Sequence, residues 1–211
     1  MMIYSGSVKR EDELPKRVAI FDYDHTLITG DSFLPFLSYV AGRIQTYAAL
    51  GEGLARCGLT RARGQVTEGW RTPLKSHLLM RLIAGKRVED MQEAAVKTRL
   101  WQTKNVPIMK ALHEHHEKGD RIVIASGGLD LYLSELLRGV PYHALICTDI
   151  GVKDGIITGE MINGNCVRAR KAERVGAWLD ANGPFEESWG YGNYPHDVPM
   201  MELVRHRIIV S

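Results

Sequence analysis

One junction recurs along this chain and constrains its fold more than any other feature. A short apolar run rich in β-formers stops at a polar cluster, and a helical pattern follows. Arg17 to Asp22 (RVAIFD) runs into Asp22-Tyr23-Asp24-His25-Thr26, and Arg121 to Ala125 runs into Ser126-Gly127-Gly128. Ser188 to Tyr191 runs into Gly192-Asn193-Tyr194-Pro195-His196-Asp197. Runs this short and this apolar suit strands covered on both faces. Strands alternating with helices through right-handed crossovers predict an α/β fold, a doubly wound parallel sheet with its ligand site at the carboxyl ends of the strands.

The alternation is interrupted once. From Asp31 to about Lys104 the periodicity is helical. Ile44, Tyr47, Ala48, Gly51, Leu54 and Ala55 recur at steps of three and four, which predicts the buried face of an amphipathic helix. Thr72-Pro73 reads as an N-cap followed by proline at the first helical position, opening a helix through Leu74, Leu78 and Leu82 that stops near Gly85. A further helix uses Val88, Met91 and Ala95. The predicted organisation is a lead-in over 1–16, a core formed by 17–30 and 105–211, and an all-helical insertion over 31–104. In the second part of the core, Asp154-Gly155 between two short extended runs signals a hairpin.

With 211 residues, 45% apolar and 25% charged, the chain is long enough for such a core with an insert. The 27 Lys and Arg against 25 Asp and Glu leave a formal charge of +2, too little for attraction to a phosphate backbone to dominate binding. The expected partner is therefore a small molecule and not nucleic acid. Cys57, Cys147 and Cys166 form no CxxC pair and no even-numbered framework, which fits a reducing cytoplasm. No apolar run approaches the roughly 18 residues a membrane helix needs, so no integral membrane segment is expected. Nothing in the sequence sets the oligomeric state.

The clusters at the predicted strand ends carry the chemistry. Asp22 and Asp24, two residues apart, can both turn toward one ligand where the chain leaves the strand, and a hard cation such as Mg²⁺ would keep at least one ionised. Ser126, Gly127 and Gly128 supply a hydroxyl and bare backbone amides suited to an anion, although strand-to-helix turns also use Ser and Gly for purely conformational reasons. Asn193 and Asp197 add two oxygen-bearing side chains at a third strand edge; the other reading is an ordinary turn with Asp197 capping the next helix. Lys171 lies in the first turn of a helix. His113, His115 and His116 read as a helix surface, with only His115 on the apolar stripe.

Taken in chain order, with Lys171 third and the segment holding Asn193 and Asp197 fourth, the four elements resemble the haloacid dehalogenase (HAD) superfamily of phosphohydrolases, over essentially everything from Arg17 to Arg207. The helical segment, with Thr26-Leu27 and Gly30-Asp31-Ser32, resembles the phosphoserine-phosphatase-type branch, subfamily IB. The resemblance implies a phosphatase with the helical segment as a cap, Asp22 as the nucleophile that forms an aspartyl-phosphate, and Asp24 as acid and then base. Thr26 would orient the first loop, while Ser126, the Gly127 amide and Lys171 would hold phosphate oxygens. Mg²⁺ would sit between Asp22, the backbone carbonyl of Asp24, and Asn193 and Asp197.

Two positions depart from the family pattern: Asn193 stands where Asp is usual, and Arg168 where many relatives place glycine. Asp31 falls where phosphoserine phosphatases contact the substrate amine, and it equally suits an N-cap. The implied substrate is a small phosphorylated metabolite, with phosphoserine first. The segments FDYDHTLITGDSFLPFLSYV and YGNYPHDVPMM also resemble phosphatidylglycerophosphate phosphatases, although the charges from Arg43 to Lys75 argue for a water-soluble substrate. A non-catalytic phospholigand-binding protein is the remaining alternative.

Overall fold

The computed structural model describes residues 16–63 and 69–210; the lead-in predicted over 1–16 therefore lies, except for Lys16, outside the described residues. The chain opens with β1 (Arg17–Phe21), an irregular turn over Tyr23–Leu27, α1 (Phe33–Ala41), α2 (Arg43–Ala62), α3 (Arg71–Leu82), α4 (Met91–Trp101) and α5 (Val106–Glu117). There follow β2 (Arg121–Leu129), α6 (Asp130–Leu136), β3 (Ala144–Thr148), and the strands β4 (Ile150–Lys153) and β5 (Ile156–Met161). The last elements are α7 (Arg168–Asn182), β6 (Glu187–Asn193), α8 (Val198–Met201) and β7 (His206–Val210).

Five strands form one parallel sheet in the order β3-β2-β1-β6-β7. Strand order reverses at β1, so the ends of β1, β2 and β6 lie side by side where such sheets hold their ligands. Alternating side chains serve two layers. Ala19, Phe21, Ile122 and Ile124 join a core with Leu112 of α5 and Leu133 of α6. Val18, Ile20, Val123 and Ala125 join a second with Val175 of α7 and Met200 of α8. Covering both faces is what makes these strands continuously apolar in sequence. The Asp154-Gly155 hairpin forms between β4 and β5, with φ of 51° and 77° at its two central residues.

Between β1 and β2 the described residues hold helices and no strand. Three details differ from the sequence reading. The stripe expected to be buried on α2 faces solvent, with Ile44 83% exposed and Tyr47 and Leu54 also exposed. The face that packs is Thr46, Ala49 and Gly53. A Cβ on Gly53 would stand 2.5 Å from Leu74 Cδ1 of α3, so the two helices meet too closely for large side chains and small residues take the contact. Thr72 is not the cap of α3, which starts one residue earlier; its hydroxyl instead accepts from Asn165 Nδ2 at 3.2 Å. Finally, β2 continues through Ser126-Gly127-Gly128 with a register shift between Ala125 and Leu129, so α6 begins only at Asp130. No helix among the described residues is long and apolar enough to cross a membrane.

Candidate active site

Asp22 follows the last residue of β1 and is held in place by its own amide, which donates to the Tyr191 carbonyl of β6 at 2.9 Å. Its carboxylate is buried. Lys171 Nζ donates to Oδ1 at 2.6 Å and Thr26 Oγ1 donates to Oδ2 at 3.0 Å. The turn over Tyr23–Leu27 brings Thr26 back over Asp22, helped by a left-handed His25 at φ 59°. Lys171 also donates to Asp197 Oδ1 at 2.6 Å, so one buried ammonium joins two buried carboxylates. Such pairs are individually costly to desolvate and tolerable only together. Burial pushes the Lys171 ammonium down, but Asp22 and Asp197 outweigh that and hold it above its usual value. For Asp22, burial pushes up against the opposing pull of Lys171, and Asp197 adds to the rise.

The second oxygen of Asp197 accepts from the Asn193 backbone N–H at 2.9 Å. Gly192 makes room for this: a Cβ there would stand 2.6 Å from Asp197 Cβ. Both Asp197 oxygens are thus engaged in this arrangement, one by Lys171 and the other by the Asn193 backbone.

The Asn193 amide reaches the first loop, with Nδ2 3.4 Å from Asp22 Oδ2 and 3.2 Å from the Asp24 carbonyl. A half-turn of the amide exchanges its nitrogen and oxygen. In that orientation the Asn193 oxygen joins Asp22 Oδ2 and the Asp24 carbonyl in one set of hard oxygen donors. Such a set fits Mg²⁺, which binds through one or two carboxylates and keeps several waters. Among the described residues no three His, Cys, Asp or Glu side chains are grouped to hold a metal ion, so any cation here depends on the mixed set.

The Asp24 carboxylate accepts the Ser32 N–H at 2.8 Å. Burial, followed by the charges of Asp31 and Asp22, raises its carboxyl to about 8. Asp31 is exposed and accepts the Leu34 N–H at 3.1 Å, a capping contact at the start of α1. Ser126 is fully buried, and its Oγ accepts the Gly128 N–H at 2.9 Å. Gly127 is needed for close approach, since a Cβ there would lie 2.8 Å from Val167 Cγ1. Arg168, the second departure from the family pattern, sits at φ 51° as the first residue of α7.

The structure therefore brings Asp22, Asp24, Asn193, Asp197 and Lys171 into contact or near contact, with Ser126 and Gly127 on the neighbouring strand. Asp31 is connected to them through its charge on Asp24. Of the three histidines, His115 is buried between Asp120 and Tyr191, while His113 and His116 are exposed. The sequence reading missed Lys75. This α3 residue is buried and donates to the Gly127 carbonyl. Its position was a signal: around the helix Lys75 falls between Leu82 and Leu79, inside the arc of α3 that carries the buried leucines.

Among solved structures, a protein with unknown function from Bordetella pertussis Tohama I is similar, with a TM-score of 0.75 and 24% identity over 92% of this chain and 90% of that one. A phospho-aspartyl intermediate analogue of phosphoserine phosphatase gives 0.64 and 16% over 92% and 86%. Phosphoserine phosphatase from T. onnurineus gives 0.57 and 20% over 95% and 86%. These likenesses are of fold. No curated protein matches the sequence. Residues 19–202 match the haloacid dehalogenase-like hydrolases, and with that match spanning most of its length the chain belongs to this hydrolase family.

Proposed function

We propose that the protein is a Mg²⁺-dependent phosphomonoester hydrolase acting through an aspartyl-phosphate on a small phosphorylated metabolite, phosphoserine-like in class. The observation that carries this reading is the Lys171 ammonium shared between Asp22 and Asp197 at 2.6 Å, at the ends of adjacent strands. In the first step an Asp22 oxygen attacks phosphorus, the bond to the leaving oxygen breaks, and Asp24 gives that oxygen its proton. Asp24 then takes a proton from the water that attacks the phosphorus, which frees phosphate and restores Asp22. Ser126, the Gly127 amide and Lys171 hold phosphate oxygens where charge gathers. Asp22, the Asp24 carbonyl and Asn193 would hold Mg²⁺, which lessens repulsion between a carboxylate and a phosphate dianion. The helices over 31–104 serve as a cap over the strand ends.

The test is phosphate release from a broad phosphomonoester panel with and without Mg²⁺. Asp22→Asn is expected to abolish turnover. No Mg²⁺-dependent release by the wild type, or equal release by the variant, rejects the proposal. One observation favours a lipid phosphomonoester as a second reading: Ile44, Tyr47 and Leu54 form an outward apolar stripe on α2, with Arg43, Arg56 and Arg61 on the same helix.

A further inference from the structure

Lys75 is a buried cation with no carboxylate within hydrogen-bond reach among the described residues. Only 9% of it is exposed. Its ammonium donates to the Gly127 carbonyl, to Thr148 Oγ1 at 3.2 Å and to Asn165 Oδ1 at 3.0 Å, which uses all three of its hydrogens on neutral oxygens. The Phe33 ring covers it, with Nζ 5.2 Å from the centroid. Burying a charge without a counter-charge is expensive. A fold that needed only to fasten α3 to the rest of the chain had cheaper means, and Thr72 on the same helix already provides one through Asn165 in the loop before α7.

What Lys75 adds is its grip on one carbonyl. Gly127 O accepts from Lys75 and from Thr148 Oγ1, the latter at 3.0 Å, and Thr148 is itself fixed by the Cys166 N–H at 3.1 Å. The charged and titratable groups around the ammonium are Asp24 and Asp31 of the first loop, Cys166 before α7 and Cys147 of β3. Gly127 also bears the amide assigned above to phosphate, and its neighbour Ser126 bears the hydroxyl.

We propose that Lys75 is a positioning residue: delivered by α3, its ammonium fixes the Gly127 carbonyl and with it the Ser126–Gly127 phosphate site. The inference rests on the reading of Ser126 and Gly127 as phosphate ligands.

Calorimetric titration of the whole chain with inorganic phosphate at millimolar Mg²⁺ tests it. Lys75→Met is expected to weaken phosphate binding by about tenfold or more, the loss typical of a hydrogen bond from a charged donor, while the melting temperature of the ligand-free protein does not fall. Thr72→Val, which loosens α3 without touching Gly127, is expected to bind phosphate like the wild type. Thr148→Val removes the other donor to the same carbonyl and is expected to weaken binding, so it carries the test should Lys75→Met fail to fold. Lys75→Arg, which can still donate to that carbonyl, is expected to recover most of the affinity. Wild-type affinity in Lys75→Met, equal losses in Lys75→Met and Thr72→Val, or a folded Lys75→Arg no better than Lys75→Met would each overturn the positioning role alone. A wild type that binds no phosphate would overturn the phosphate-site reading together with it.

Discussion

Lys75 and Lys171 are both buried lysines, yet their surroundings push them in opposite directions. Lys171 has two carboxylates and stays charged, whereas Lys75 has neutral partners and burial lowers it from 10.5 to about 8. The sign for stability follows. Below about pH 8 the folded and unfolded chains both hold the Lys75 proton, and the full cost of the buried charge is present. Between about 8 and 10.5 the unfolded chain retains a proton that the folded chain has released, so this residue makes stability rise with pH. In urea unfolding, the deficit of the wild type relative to Lys75→Met should therefore shrink between pH 7.5 and pH 10, and a deficit that grows would contradict the assignment. Of the two lysines, only Lys171 was singled out in the sequence, and its role came from family resemblance. A single lysine carries no local mark of being desolvated, because burial depends on what other segments bring to it.

At the scale of elements, local signals read well where the chemistry is local. The hairpin at Asp154-Gly155, the start of β1 and the apolar stripe of Leu74, Leu78 and Leu82 on α3 follow from residues a few positions apart. The orientation of α2 does not. Its periodicity is helical, as expected, but two faces of the helix carry uncharged residues, and close packing on α3 selected the one with Thr46, Ala49 and Gly53. Replacing Ile44, Tyr47 and Leu54 together by Ser should then leave folding stability nearly unchanged, since surface substitutions typically act within about 0.5 kcal/mol each. A loss above about 4 kcal/mol in denaturant unfolding would place the stripe in a core after all. The same variant separates the two substrate readings. If the stripe meets lipid, the wild type floats with anionic liposomes and the variant does not; a wild type that stays in the soluble fraction removes the lipid route.

Across the whole molecule, the inserted helices and the catalytic sheet share one apolar cluster. Phe36, Leu37, Leu78, Leu79 and Met91 belong with Phe21, Ile124 and Leu133. A continuous core of this kind unfolds as a unit. Thermal unfolding followed in the near and far ultraviolet by circular dichroism should give one coincident transition; an earlier, separate loss of helical signal would show that the insertion is an independent body. The sequence by itself determined the alternation of strands and helices, the polar clusters at the strand ends, and hence the sheet and the place of the candidate site. Those properties are written in neighbouring residues, through periodicity and turn chemistry. Tertiary structure alone decided that Lys171 reaches Asp22 from 149 positions away, that Asp197 spends both oxygens on Lys171 and Asn193, and that Lys75 closes on Gly127. Burial and electrostatic pairing arise only when distant segments meet, and one segment's pattern does not carry the identity of its partner.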